Sequence, residues 1–560
     1  MAVSAGTPRR PVAATFPPIP LHRRLYGFGS IYGKTIRDSR LAFIIAAGLL
    51  GALPLVFGAA IGTVFPTREA RDDISSLIGA MPASMVNLFG KPVGLGTLGG
   101  YMSWKYGAIF VLGSALWSIT ALSGTLAAEA RRGSLDFVAV TAFGKRRIAI
   151  EKVAAHVTVL TLAMAVLAVS CAVGSTFGDA SLGDSISLLS GVAFALWVGF
   201  IALFFGGLAF ALSPVLGRAG SAGVAVIVMM VLWVANGLDV LGPVASLSPF
   251  RWTADHIGLV GQYDWAPLAL VGIVSFVFLA IGVGLFARRD LGVTAGLSLP
   301  GLPASILGVH GPIARAFGEE LPRALSWGIG LGLFGAVLGS LVGPFADEVA
   351  KDPGLIKTFG SIFPGIDFTT AGGWLQLYAE LFFIAAGFAG ATFVAKWASD
   401  ENEGRLEELL ASPMSRARWV LAGGAAAILA TVVMTVMFAL GTGLGAAVGG
   451  GTAGDATLGS VSLGLYAVAI VGVGFAVGGL WRTSLAAEIA ALVVVATYLI
   501  DLVVPALGLP DWVHQLALTA HFGQPMLGQW DPVGVVASIA IAAVGIVLGA
   551  WGMSRRDVGR

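Results

Sequence analysis

Apolar runs long enough to cross a bilayer recur twelve times in these 560 residues. A helix needs about 20 such residues to traverse the hydrocarbon core. The first six runs lie near 41–65, 106–128, 154–177, 186–212, 221–241 and 267–287. The second six lie near 325–345, 374–398, 419–449, 460–480, 485–506 and 534–553. Only 11% of residues are charged, against about 25% in a soluble domain. A water-soluble fold could not cover its surface with so few. The chain reads as an all-α polytopic membrane protein of about twelve transmembrane helices.

Basic residues in the loops set the orientation. With the N-terminus in the cytoplasm, 26 of the 33 Lys and Arg fall on the cytoplasmic side. The other seven are Arg68, Arg71, Lys91, Lys105, Arg251, Lys351 and Lys357. Both termini are therefore expected inside a cell membrane, after an even number of crossings. Residues 1–20 carry five prolines and read as a cytoplasmic tail. No apolar core for a cleavable leader occurs in the first 40 residues. Cys171 is the one cysteine, so no cysteine-based zinc site or intrachain disulfide can form. The six histidines show no ligand spacing, and no metal site is expected.

Two stretches of the chain repeat each other. Glu129-Ala-Arg-Arg-Gly133-Ser-Leu135-Asp136, leading to Lys145, answers Asp400-Glu-Asn-Glu403-Gly404-Arg-Leu406-Glu407, leading to Arg416, at an offset of 271. Gly261-Gln-Tyr-Asp264 answers Gly528-Gln-Trp-Asp531, and Arg288-Arg-Asp290 answers Arg555-Arg-Asp557, both at an offset of 267. Each half holds an even number of spans, so the copies would be parallel. A pseudo-two-fold axis along the membrane normal would relate two six-helix repeats. The expected divisions are a tail and interfacial helix at 1–40, a first repeat at 41–291, a linker with a second interfacial helix at 292–323, and a second repeat at 324–560.

The repeated cytoplasmic segment carries the strongest functional signal. The positive-inside rule asks only for bases, yet Gly, Leu and an acid recur here in register. Leu406, Leu409 and Leu410 with Glu407 and Glu408 form a short amphipathic helix, which Ser412 and Pro413 end. A short charged helix between two spans suits docking into a groove of a cytoplasmic partner.

These two segments resemble the coupling segment of type-2 ABC export permeases. Glu403-Gly-Arg-Leu-Glu-Glu-Leu-Leu-Ala-Ser-Pro413-Met-Ser-Arg416 is the closer match. The first copy has Ala142 where the second has Pro413, so unequal coupling is expected. The double-length form is similar to actinobacterial permeases described as antibiotic or multidrug exporters. The resemblance implies an exporter of amphipathic or hydrophobic compounds, driven by two copies of a separate ABC ATPase subunit. ATP and Mg would bind those subunits and not this chain. The coupling residues it implies are Glu129, Gly133, Leu135, Asp136, Lys145, Glu403, Gly404, Leu406, Glu407, Pro413 and Arg416.

The chain has no P-loop of its own. In the nearest approach, Gly29-Ser-Ile-Tyr-Gly33-Lys34-Thr35, the glycine spacing is wrong and no strand precedes it. Leu25, Tyr26, Phe28, Ile31 and Tyr32 beside Arg23, Arg24, Lys34 and Arg37 read instead as an interfacial helix, and a second is expected near 309–322. No catalytic set and no nucleic-acid surface is visible. The segments 242–266 and 507–533 are rich in Pro and aromatics and too interrupted to span. Phe250, Trp252, Trp512 and Phe522 are their candidates for an outer gate. Glu380 and Glu488 fall inside spans, where charge is costly, and are candidates for the substrate pathway. Two other classes remain open: an ion-driven secondary transporter that uses Glu380, and a membrane scaffold without transport.

Overall fold

The computed structural model describes residues 30–80, 86, 89–125, 144–237, 242–288, 311–351, 366–367, 370–376, 378–402, 404–451 and 453–556. Among them are twelve helices long and apolar enough to cross a membrane. The first six are Arg40–Gly62, Leu98–Gly124, Lys145–Phe177, Leu188–Arg218, Gly220–Gly237 and Trp265–Arg288. The second six are Pro312–Ser340, Ala379–Asn402, Arg416–Val448, Gly454–Leu480, Thr483–Val504 and Pro532–Arg555. They are called the first to twelfth spans below. Lipid supplies no hydrogen bonds, so only a helix or a closed barrel can carry the backbone across.

Several spans begin ahead of their apolar runs, some of them at a capping side chain. Thr97 accepts a hydrogen bond from Gly100 N, so the second span starts at Leu98 and not near 106. It thereby takes in Tyr101 and Lys105. The third span starts at Lys145, nine residues before its apolar run. Ser415 and Asp531 cap the ninth and twelfth spans in the same way. The interfacial helix Ile31–Asp38 is separated from the first span only by Ser39. Its expected counterpart near 309–322 is not a separate helix. Pro312–Ser340 runs through Pro322 unbroken.

Corresponding pairs of spans touch in the two halves: first with third and seventh with ninth, second with fourth and eighth with tenth, fourth with sixth and tenth with twelfth. Glycines let the backbones meet. A Cβ on Gly441 would sit 2.0 Å from the Gly332 carbonyl oxygen, and one on Gly58 would sit 1.9 Å from that of Gly174. Small residues at such crossings replace the hydrophobic drive that lipid removes. The halves meet where the eleventh span packs on the first and where Trp233 of the fifth lies 5.8 Å from Phe334 of the seventh.

The fourth and fifth spans are joined without a loop. Gly217 takes φ 69° and ψ −176° and breaks the run into two helices at a kink, a conformation open to glycine alone. On the face opposite the termini, each half folds an irregular unit after its fifth helix. In the first half, Pro249–Trp252 and Gly258–Val260 precede the left-handed Gly261 at φ 80°. In the second, a two-stranded hairpin, Gly523–Gln524 with Gln529–Trp530, encloses Gly528 at φ 73°. The recurring Gly-Gln pair thus marks the same turn twice.

One buried ion pair organises that face in the first half. Arg71 donates to both carboxylate oxygens of Asp184, at 2.6 and 2.9 Å. Asp184 also accepts the backbone N–H of Leu98 and of Asp179, each at 2.9 Å. Arg71 is 3% exposed and Asp184 0%. Every polar atom here finds a partner, which a buried pair requires.

Three substitutions have distinct outcomes for thermal unfolding in detergent. Gly441→Leu lowers stability by about 1–3 kcal/mol or more through overpacking. Gly330→Leu, whose Cβ meets nothing within 4 Å, leaves it unchanged. Arg71→Met strands Asp184 in the interior and costs about 3–5 kcal/mol.

Candidate functional site: a braced helix on the face of the termini

The chain leaves the eighth span through Asn402 and turns at Gly404, whose φ of +76° is left-handed. A glycine here ends one helix and starts another without steric cost. The short helix Arg405–Leu410 follows. Leu406 is 1% exposed and pins it to the bundle. Leu409 and Leu410 are half-buried, and Glu407 and Glu408 point outward. Pro413 is exposed in the turn before Ser415 opens the ninth span. Glu403 lies outside the described residues.

Charged groups from several helices hold this segment. Asp400 takes Arg405 at 3.3 Å, Arg315 at 3.7 Å and Lys396 at 3.8 Å, and the Trp419 indole N–H at 3.3 Å. Arg315 also pairs with Glu319 at 2.8 Å, and Lys396 bonds the same carboxylate. Arg416 donates through Nη1 to the Arg556 carbonyl oxygen. Arg556 in turn holds Glu401 and donates to the Trp481 carbonyl oxygen at 2.7 Å. Thr483 donates to Glu401 at 2.8 Å. Trp397 stacks against Trp419 at 4.8 Å and against Phe475 at 4.2 Å. The ends of the seventh, eighth, ninth, eleventh and twelfth spans are thereby tied together, and Arg405 joins the short helix to that network through Asp400.

Of the first-half residues, Glu129, Gly133, Leu135 and Asp136 lie outside the described residues. Lys145 begins the third span, half-exposed. Two turns on, Glu151 joins Arg147 at 2.8 Å and accepts the Tyr32 backbone N–H at 3.2 Å. The interfacial helix Ile31–Asp38 is docked on the third span through that carboxylate.

The aromatic candidates divide. Phe250 stacks on Phe205 at 5.8 Å, and Phe522 on Phe383 at 5.4 Å, both buried. Trp252 is half-buried, donating to the Ser246 carbonyl oxygen at 2.7 Å. Trp512 is 67% exposed at the tip of its unit. Glu488 is exposed about one turn into the eleventh span. Glu380 is exposed in the first turn of the eighth.

Two charged residues inside spans escaped the sequence reading. Lys105, assigned there to an outer loop, lies two turns inside the second span. Asp501 lies within the eleventh. Both interrupt apolar runs, and that interruption was the available signal. The pairings of Lys396 with Glu319 and of Arg556 with Glu401 carried none, because those partners are distant in sequence.

Over residues 309–553, which contain this site, the chain matches the family model described as the C-terminal domain of the multidrug efflux system permease Rv1217c. The likeness extends well beyond that half. The chain is 26% identical over 530 residues to the multidrug efflux system permease protein Rv1217c of Mycobacterium tuberculosis (strain ATCC 25618 / H37Rv), covering 91% of each.

Truncating the anchor tests how the short helix is held. Leu406→Ala removes a buried side chain worth about 2–5 kcal/mol. Amide hydrogen exchange across 404–412 accelerates strongly, while exchange in the ninth span stays slow.

Proposed function

We propose that this chain is a multidrug efflux permease: the membrane subunit of an ATP-driven exporter of amphipathic compounds. Its energy would come from separate ATPase subunits docked at 400–418 and at the matching segment 129–147. The observation that carries the reading is the helix Arg405–Leu410. It offers two exposed acids, Glu407 and Glu408, and Arg405 links it to an ionic network that joins the ends of five spans. A solvated loop has no need of such bracing, whereas a lever does. The likeness to a multidrug efflux permease along nine-tenths of the chain supports the same function.

In this reading the face of the termini is cytoplasmic, in the cell membrane, and the unit bearing Phe250 and Phe522 closes the outer end. The recurrent pairing of spans and the two matching left-handed glycines support a parallel pseudo-two-fold arrangement. One chain then supplies both halves of the pathway. ATP and Mg would act only at the partner, whose closure would push the segments together and rock the halves between inward and outward openings.

A second reading has its own observation. Glu380 is a carboxylate inside a span with no hydrogen bond or ion pair to any described residue, as an ion-coupled transporter would need.

Capture of the ATPase subunit separates the two. Glu407→Ala with Glu408→Ala reduces co-purification of that subunit, and drug-stimulated ATP hydrolysis, by about ten-fold, a 1.4 kcal/mol loss of contact. Thermal stability stays unchanged because both side chains are exposed. Efflux from proteoliposomes that needs an ion gradient and no nucleotide would decide for the second reading.

A further inference from the structure

We infer that a small cavity between the seventh and eighth spans, on the face of the termini, is a binding site for one water molecule. Its ligands are the carboxyl groups of Glu320 and Asp400 and the indole N–H of Trp397. The site stands apart from the exposed acids of the short helix and does not depend on what docks there.

The cavity lies close to where the eighth span ends. Arg315, Glu319 and Glu320 line it from the seventh span, Lys396, Trp397 and Asp400 line it from the eighth, and the start of the ninth closes it. It offers about 20 Å³ to the centre of a water molecule. One water needs about 10–15 Å³ on that measure.

Three polar atoms of the lining have no hydrogen-bond partner among the described residues. They are Oε2 of Glu320, Nε1 of Trp397 and Oδ1 of Asp400. All three residues are more than nine-tenths buried, at 3%, 4% and 6% exposure. A buried polar group left unpaired is costly, and such groups are rare in folded proteins. Their neighbours are already engaged. Glu319 holds Arg315 at 2.8 Å and also Lys396. Oδ2 of Asp400 accepts the Trp419 indole N–H at 3.3 Å. Oδ1 lies 3.3 Å from Arg405 and 3.8 Å from Lys396, yet accepts no hydrogen bond.

The kinds of atom identify the ligand. Two are acceptors and one is a donor. A water gives a hydrogen to each oxygen and accepts the indole N–H, so it satisfies all three at once. Such a site, with about three hydrogen bonds, is the usual setting for a buried water. A metal ion or an ammonium could not accept from Trp397 and would face the positive end of that N–H. Charge agrees: Glu319, Glu320 and Asp400 stand against Arg315, Lys396 and Arg405, so no counter-ion is called for. The bound water ties the seventh span to two groups of the eighth, at the root of the segment that leads into Arg405–Leu410.

The test is hydroxyl-radical labelling of the purified full chain in detergent by an X-ray pulse, with a bulk radical scavenger present. Radicals formed from a bound water oxidise the side chains it touches, buried or not. Trp374 is the control, because its indole N–H donates directly to the Leu338 carbonyl oxygen at 2.9 Å. The expected result is oxidation of Trp397 several-fold faster than of Trp374. Glu320→Leu removes that excess and Glu320→Gln, which keeps an acceptor, retains it. On unfolding, Glu320→Leu and Trp397→Phe are non-additive: the second change lowers the folding equilibrium several-fold less once the first is made. The inference is overturned if Trp397 reacts no faster than Trp374, if its excess survives Glu320→Leu, or if the two changes add. Suppression of Trp397 labelling by sodium or ammonium chloride, but not by tetramethylammonium chloride, would mean a cation site and would overturn it too. Should Glu320→Leu not fold, the comparison of Trp397 with Trp374 in the unaltered chain decides alone.

Discussion

Contact between backbones through glycine is the condition on which everything else in this molecule depends. In lipid, leucine-coated helices gain nothing by leaving the bilayer for each other. The seventh and ninth spans associate because Gly332, Gly441 and Gly445 remove the side chains between them. The resulting packing is close and long, and it makes rigid pairs rather than loose bundles.

The ionic network on the face of the termini extends that rigidity beyond the bilayer. Asp400 accepts bases from the seventh span, the eighth and the short helix at once. Exposed pairs of this kind contribute little singly, but Asp400 and Glu401 are mostly shielded and shared among several partners. The network fixes geometry more than it adds stability. On the opposite face, Arg71 and Asp184 do the equivalent for the first three spans.

Much of this was legible in the sequence, and the gaps have physical causes. All twelve spans stand out because lipid demands long apolar runs. Their starts at Leu98 and Lys145 did not, because a helix continues past the lipid boundary until a cap or a glycine stops it. The short helix at 405–410 was readable from its leucines, its acids and Gly404. Arg416 looked like a surface base, whereas it reaches back to the chain 140 residues later. No local pattern encodes that contact. Trp512 and Phe522 looked alike as aromatics in one irregular segment, yet the fold buries one and exposes the other. Lys105 was misplaced for the same reason as Leu98: the cap at Thr97 decides which side of the boundary it falls on.

The bond from Arg416 to Arg556 also sets an order of events. Ribosomes add about 5–20 residues per second, so Arg556 emerges on the order of 7–28 s after Arg416. Until then Glu401 lacks its guanidinium partner and the ninth span lacks its strut. The brace beside the short helix is therefore completed only after the twelfth span has been made. The contacts of the ninth span on this face thus wait on a residue 140 positions later in the chain.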